Sequence, residues 1–190
     1  MECYTETKAR VAMNQTKEQM CVLNYEDERL QQVAKNMSAD VFWFSSAREL
    51  ERGIFLRGEE IVCRDGEEIT LCNIHDLKLL GMHNYENVMA AVAHGMNVPW
   101  DVIRKVVCEF QAVPHRIEFV KEVNGVKYYN DSKGTNPDAA IKAVEAMVRP
   151  TIVIGGGYDK ESVYDEWIAS FGTKVKSLVL LGQTADKIAE

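Results

Sequence analysis

The chain has 190 residues, of which 46% are hydrophobic, and a formal net charge of −7 at pH 7. This length and composition suit a globular protein with one large domain or two small ones. The negative charge disfavours a general nucleic-acid or membrane surface, because phosphate groups bind clustered cations.

The cysteines and the apolar runs favour an intracellular protein. The five cysteines form no C-x-x-C pair, and their odd number is typical of reduced thiols rather than a disulfide framework or a zinc site. No apolar run approaches the roughly 20 residues of a membrane span, and no signal peptide follows Met1. We therefore expect a cytoplasmic protein with neither a membrane nor a nucleic acid as its partner.

The first half of the chain is predicted to be an α/β piece. A charged run, "YTETKARVAMNQTKE", favours an opening helix, and "MCVLNYED" and "DVFWFS" read as strands that flank a helix from about Asp27 to Asn36. Further on, "GMHNYENVMAAVAHGMNVPWDVIRKVVCEF" predicts two helices. The first ends near Gly95, and the second begins at Pro99 and ends near Phe110.

A hairpin is predicted in "GIFLRGEEIVCRDGEEITLC", because Asp65-Gly66 lies between two alternating arms. Counting outward from a two-residue turn pairs Arg64 with Glu67 and Cys63 with Glu68. Cys63 then does not face Cys72, so no disulfide is expected in this hairpin.

The pattern changes at "QAVPHR", where the proline disfavours helix in the preceding residue. We therefore predict two domains, residues 1–111 and 112–190. From Ile117 the elements alternate β, β, α, β, α, β, and Asn124-Gly125 marks a further hairpin. Apolar strands separated by helices indicate a parallel sheet with helices on its faces, and hence a Rossmann-like second domain. The ending, "LVLLGQTADKIAE", reads as a strand, a turn and an unfinished helix, so we expect this domain to be incomplete and the chain to be a fragment of a larger protein.

Two loops lie where ligands bind in open parallel sheets, beyond the carboxyl ends of strands. These are "NDSKGTNP" after "VKYY" and "GGGYDK" after "TIVI". Helix capping by Thr135 or Asn136 is an alternative explanation for much of the first loop. Capping leaves Lys133 and Lys160 unexplained, and two lysines near open helix N-termini on one sheet edge suit a carboxylate or phosphate ligand. The second loop matches neither nucleotide-binding glycine pattern.

Three more residues are candidates for ligand contact, each with an ordinary alternative. Asn84 and Asn87 are three apart at a helix start, where asparagine commonly acts as a cap. Arg116 follows His115 at the domain junction and could face a phosphate or pair with Glu118. The histidines and cysteines form no transition-metal cluster, and no serine–histidine pair indicates a hydrolase.

Four segments, "GMHNYENVMAA", "PHRIEFV", "YYNDSKGTNPDAAIKAV" and "IVIGGGYDK", occur in the order found in the Mur ligases. The chain resembles this family over nearly its whole length, and "NDSKGTN" resembles the members that add D-glutamate. The resemblance implies part of a central, ATPase-type α/β domain followed by an incomplete Rossmann-like C-terminal domain. It also implies an ATP- and magnesium-dependent ligase of peptidoglycan synthesis. Such an enzyme joins D-glutamate to UDP-N-acetylmuramoyl-L-alanine through an acyl phosphate.

The resemblance also implies roles for individual residues. Asn84, Asn87, Arg116 and Asp131 match positions that contact ATP, with Arg116 at the phosphates and Asp131 at the nucleotide. Lys133 and Thr135 match positions at the reaction centre and D-glutamate, and Lys133 is therefore also a catalytic candidate. Lys160 matches a lysine that holds the carboxylate of D-glutamate.

Lys8 aligns in "ECYTETK" with a lysine that the family carbamylates, which would give it a catalytic role as an anionic oxygen ligand of magnesium. The chain lacks the family's G-x-x-x-x-G-K-[ST] loop, so we expect the 190 residues alone to be inactive. Three alternatives remain. They are a non-catalytic α/β binding module, another Mur or folylpolyglutamate-type ligase, and a dehydrogenase, which the missing G-x-G-x-x-G pattern disfavours.

Overall fold

A computed structural model describes the backbone of residues 2–190 and the side chains from residue 4 onward. The fold is mixed α/β, as the sequence predicts. Contacts divide the chain into two compact units, residues 1–110 and 111–190, and each is described by itself below. No helix of the described residues is both long and apolar enough to cross a membrane.

The first unit is built on a five-stranded sheet in the order β1-β2-β3-β4-β5. Strands β1, β2 and β3 are parallel, and β3, β4 and β5 are antiparallel. Their apolar side chains form the core, and Phe42, Ile54 and Phe55 are completely buried. The strands are β1 (Met20–Asn24), β2 (Asp40–Ser45), β3 (Gly53–Arg57), β4 (Glu60–Asp65) and β5 (Glu67–Asn73).

Four helices accompany this sheet, and the sequence signals explain their ends. Asp27 caps α2, because its Oδ1 accepts the N–H groups of Arg29 at 2.9 Å and Leu30 at 3.3 Å. The opening helix is shorter than predicted, since the chain tightens into a 3-10 turn at Arg10–Ala12. The helices are α1 (Glu2–Ala9), α2 (Glu28–Ala34), α3 (Met82–His94) and α4 (Trp100–Glu109).

The hairpin at Asp65-Gly66 exists, but the predicted register is wrong by one residue. Arg64 pairs with Glu68 and Cys63 with Ile69, because Asp65 itself pairs with Glu67 and Gly66 alone makes the turn with φ of 77°. The sequence analysis also missed the turn at Gly58, which separates β3 from β4. Cys63 pairs with Ile69 and Cys72 with Ile61, so the two cysteines do not face each other, as predicted.

The second unit contains two separate two-stranded sheets, β6-β7 and β8-β9. The antiparallel β6-β7 hairpin turns at Asn124-Gly125, where both residues have positive φ, as the sequence predicts. Strands β8 and β9 are parallel. The elements are β6 (Glu118–Val123), β7 (Val126–Asn130), α5 (Pro137–Ala146), β8 (Thr151–Gly157), α6 (Asp165–Ala169), β9 (Val175–Gly182) and α7 (Ala185–Ala189).

The predicted parallel pairing is found between β8 and β9, but β7 pairs with β6 in the predicted hairpin and does not join that sheet. A hairpin forms by local antiparallel pairing, whereas a β7–β8 pair requires a crossover through α5. The predicted helix "SVYDEWIASF" shortens to α6. Trp167 of α6 packs beneath Gly155, where a Cβ would lie 2.7 Å from its ring.

Candidate functional site

The loop between β7 and α5 is folded tightly by its own polar groups. The N–H of Gly134 donates to the carbonyl of Asp131 at 2.8 Å, and the N–H of Thr135 donates to the carbonyl of Lys133 at 2.9 Å. Asn136 caps α5, since its Oδ1 accepts the N–H of Ala139 at 2.8 Å. Helix capping therefore explains Asn136, which was the alternative to a ligand site. It does not explain Lys133 and Thr135, whose side chains are exposed.

Arg116 lies between two residues in the left-handed conformation. His115 has φ of 67° and Ile117 has φ of 47°, and neither is glycine. A non-glycine residue there costs on the order of 1–3 kcal/mol and persists only when its surroundings hold it. The Arg116 side chain is exposed and that of Ile117 is buried, so this backbone presents the guanidinium outward.

The loop after β7 supplies the contacts that hold this segment. The N–H of Lys133 donates to the carbonyl of His115 at 2.9 Å, and the N–H of Ile117 donates to Oδ1 of Asp131 at 3.0 Å. A third contact joins Nδ2 of Asn130 to Nδ1 of His115 at 2.9 Å. These contacts hold the segment that carries Arg116 against the loop that carries Asp131 and Lys133. They act on both left-handed residues, His115 and Ile117.

Gly134 is needed for the close approach of this loop to Asp131. A Cβ at position 134 would lie 2.5 Å from Oδ2 of Asp131 and 3.1 Å from its carbonyl oxygen. Any larger residue would therefore push against the carboxylate that holds Ile117. Steric contact with Asp131 thus explains why the "NDSKGTN" segment has glycine at this position.

Lys160 lies in the loop after β8, and its side chain is exposed. The end of β8 and this loop are bonded to the start of α7, because the N–H of Gly157 donates to Oγ1 of Thr184 at 3.1 Å and Lys187 pairs with Asp159 at 3.2 Å. Since β8 and β7 belong to different sheets, the expectation of one shared sheet edge for Lys133 and Lys160 is wrong.

The two asparagines of α3 have different environments. Asn84 is buried, with 8% of its surface exposed, and its Nδ2 donates to the carbonyl of Leu80 at 2.7 Å. Asn87 is exposed on the next turn of α3. Asn84 therefore holds the start of the helix, and Asn87 presents its amide outward.

Lys8 is exposed near the end of α1, with its Nζ 5.5 Å from the centre of the Tyr4 ring. Within the described residues, no group of three or more histidine, cysteine, aspartate or glutamate side chains could hold a metal ion.

Sequence reasoning missed two groups of polar residues. His115 and Asn130 tie the Arg116 segment to the loop after β7, although only their neighbours were candidates. At the carboxyl ends of β1 and β2, Glu26 joins Ser45 and Arg48, and Glu86 joins Ser46. The position of these residues just beyond strands was the available signal.

Two family models match the chain. Residues 1–95 match the Mur ligase middle domain, and residues 115–190 match the glutamate ligase domain of Mur ligases. The UDP-N-acetylmuramoylalanine–D-glutamate ligase of Lachnoclostridium phytofermentans is 57% identical, and the alignment covers 100% of this chain and 42% of that protein. The ligase of the same name from Lachnospira eligens is 54% identical, with 100% and 43% covered.

Solved structures of distant relatives share the fold. A folylpolyglutamate synthetase from Lactobacillus casei matches with a TM-score of 0.61 at 15% identity, over 99% of this chain and 51% of that one. A MurF ligase from Thermotoga maritima, solved in complex with ADP, matches with a TM-score of 0.57 at 16% identity, over 97% and 49%.

The chain spans less than half the length of the curated relatives it matches. Both family models nevertheless fall on this chain in the order of its two units. The polar loop after β7 lies in the part that matches the glutamate ligase domain. The chain belongs to the Mur ligase family.

Proposed function

We propose that these residues serve an ATP- and magnesium-dependent ligase of peptidoglycan synthesis that adds D-glutamate to UDP-N-acetylmuramoyl-L-alanine in the cytoplasm. The names of two relatives at 57% and 54% identity support this substrate pair. The observation that carries the proposal is the attachment of the Arg116 segment to the Asp131–Lys133 loop. Two hydrogen bonds join the segment that carries Arg116 to the loop that carries Asp131 and Lys133.

The proposed reaction has two steps. The carboxylate of the uridine-nucleotide substrate attacks the γ-phosphorus of ATP, which forms an acyl phosphate and releases ADP. The amine of D-glutamate then attacks the acyl carbon, and a tetrahedral intermediate loses phosphate and a proton to give the amide. Both steps develop negative charge on oxygen, so catalysis depends on positioned cations and hydrogen-bond donors.

Each candidate residue has a role that fits its chemistry. Arg116, a fork of five donors, would contact the phosphates of ATP. Asp131, an acceptor, would contact the ribose hydroxyls in addition to the N–H of Ile117. Lys133 and Thr135 would face the reaction centre and D-glutamate. The ammonium of Lys160 would pair with a carboxylate of D-glutamate.

The residues of the first unit have the weaker structural support. Asn87 is exposed and would contact ATP directly, whereas Asn84 would support it by holding the first turn of α3. Magnesium would neutralise charge on the transferring phosphoryl group when bound. Lys8, as its carbamate, would be one oxygen ligand of that ion.

Assay of the complete gene product that contains these residues tests the proposal. UDP-N-acetylmuramoyl-L-alanine, D-glutamate, ATP and magnesium are combined, and ADP release and the mass of the nucleotide product are measured. We expect ADP formation that requires D-glutamate, together with a product heavier by one glutamyl residue. Folate with L-glutamate distinguishes the folylpolyglutamate-type alternative, and the 190 residues on their own are expected to be inactive.

A matched pair of lysine variants tests the site itself. Lys133→Ala should reduce kcat strongly, whereas Lys142→Ala should not. Lys142 is an exposed lysine on α5 that pairs only at the surface with Glu145, at 2.8 Å. Equal activity of the two variants, or ligation that proceeds without ATP, would contradict the proposal.

A further inference from the structure

The turn after β2, at the carboxyl edge of the parallel strands, is held by several side-chain hydrogen bonds. Ser45 is completely buried, and its hydroxyl donates to Oε1 of Glu26 at 2.6 Å. Oγ of Ser45 also accepts the N–H groups of Ala47 at 3.1 Å and Arg48 at 3.0 Å. Arg48 in turn donates to both carboxylate oxygens of Glu26, at 2.9 Å and 2.6 Å. The end of β2 is therefore hydrogen-bonded to Glu26, just beyond the end of β1.

The next residue connects this locked turn to α3. The hydroxyl of Ser46 donates to Oε1 of Glu86 at 2.6 Å, across 40 positions of sequence. Glu86 lies between the two asparagines of α3. A hydroxyl–carboxylate contact of this length is in the range of the stronger hydrogen bonds of proteins. Since Ser46 follows the fixed Ser45, the contact holds α3 against a rigid support.

Two polar contacts and the buried side chains of α3 orient this helix. Asn84 donates to the carbonyl of Leu80 at 2.7 Å, and Glu86, two residues later, projects about 200° around the helix at about 100° per residue. The N-cap residue Gly81 has no side chain to supply a capping bond. The first turn of α3 is therefore held by the contact of Asn84. The contact of Glu86, together with the buried Val88 and Met89, sets the direction in which the exposed Asn87 points.

We propose that Ser46 and Glu86 are positioning residues that hold Asn87 at the nucleotide. This inference rests on the proposed function, which assigns Asn87 to ATP. Neither residue needs to touch a substrate, because the hydrogen bond between them acts through the orientation of α3. Loss of the bond lets the first turn rotate or shift, and the contact between Asn87 and the nucleotide weakens.

Four variants of the complete gene product test the inference by steady-state kinetics. Ser46→Ala and Glu86→Ala remove the bond and should raise the KM for ATP about fivefold, a change equivalent to one ordinary hydrogen bond. The KM for D-glutamate should stay within about twofold, which is the scatter expected when two sites act independently. Ser46→Thr keeps the donor and Glu86→Gln keeps Oε1 as acceptor, so both should retain the unaltered KM for ATP.

Two further measurements separate positioning from general stability and from failure of the proposed function. Glu59→Ala, which removes an exposed contact to His75 at 3.0 Å, is the control and should change no kinetic constant. Calorimetric titration of ATP reports affinity even if the unaltered protein has no ligase activity. The inference is overturned if Ser46→Ala and Glu86→Ala lower Tm but leave ATP affinity unchanged. It is also overturned if the KM values of all substrates rise together.

Discussion

The N–H of Ile117 donates to Oδ1 of Asp131 at 3.0 Å, across 14 positions of sequence. One oxygen of this carboxylate is therefore committed to the backbone of the segment that carries Arg116. Asp131 was expected to serve the nucleotide, and the bond gives it a structural task as well. A substitution of Asp131 should therefore change both the stability of the fold and the binding of ATP, and unfolding and titration experiments measure these separately.

Asp131→Ala should destabilise the protein and weaken ATP binding. The change leaves the N–H of the buried Ile117 without this acceptor, which costs roughly 1–3 kcal/mol. Asp131→Asn keeps an oxygen at the same place and should retain most of the stability while its ATP affinity falls. Urea unfolding and ATP titration of both variants check this. Equal stability of the two variants would show that the bond to Ile117 contributes nothing.

Gly134→Ala should act on the same carboxylate from the other side. The added Cβ would lie 2.5 Å from Oδ2 and 3.1 Å from the carbonyl oxygen of Asp131. Because the carbonyl cannot turn away as a side chain does, we expect a loss on the order of 1–3 kcal/mol and weaker ATP binding. Gly125→Ala, at a turn where a Cβ has open space, is a control that carries only conformational strain. Retention of full ATP affinity by Gly134→Ala would contradict the steric argument.

The two asparagines of α3 should differ in the property that each variant loses. Asn84→Ala removes a buried bond to Leu80 and should lower the free energy of unfolding by roughly 1–3 kcal/mol. Asn87→Ala should leave stability within about 0.5 kcal/mol, as for other exposed positions, and raise the KM for ATP. Thermal unfolding and steady-state kinetics measure both. A stable Asn84→Ala protein with weak ATP binding would reverse the assignment.

Stability should fall in acid because several carboxylates of the first unit are held by arginines. Hydrogen bonds from Arg57 and Arg64 lower the pKa of Glu68 from 4.5 to about 2, and Arg52 lowers the pKa of Asp40. A carboxylate whose folded pKa is below its unfolded value stabilises the fold above the unfolded pKa. For Glu68, this contribution is lost as the pH falls from 4.5 towards 2.

Measurement of thermal unfolding from about pH 6 down to about pH 2.5 checks that expectation. Glu68→Gln should make the decline of Tm with falling pH shallower, because its side chain does not titrate. Glu67→Gln, one residue earlier on β5, is the control. The effect should be small and sensitive to salt, since these groups are exposed. An identical pH dependence in the two variants would refute the role of Glu68.

The sequence was sufficient for features that depend on local chemistry. Asn136 before Pro137 predicts the cap of α5, and Asn124-Gly125 predicts the turn between β6 and β7. Each conformation is decided by a few adjacent residues. The register at Gly66 could not be counted reliably, because a single residue makes the turn there and a bulge follows near Ile61. A bulge depends on packing of the whole sheet.

The candidate site was predicted in part, for a similar reason. The domain junction suggested Arg116, the position beyond a strand suggested Lys133, and the family resemblance added Asp131. Hydrogen bonds join the segment that carries Arg116 to the loop that carries Asp131 and Lys133. The roles of His115 and Asn130 depend on contacts across 15 positions of sequence, which no local pattern encodes. The separation of β7 from β8 also escaped prediction, since strand order follows from tertiary pairing and not from apolar periodicity.

The left-handed backbone on both sides of Arg116 limits how this protein can be recombined with its relatives. His115 and Ile117 keep that conformation through contacts to Asn130, Asp131 and Lys133. A chimera whose crossover point falls between positions 117 and 130 would inherit the arginine from one parent and its supporting loop from the other. Domain exchange should therefore place the junction upstream of His115, so that the arginine and its support come from the same parent.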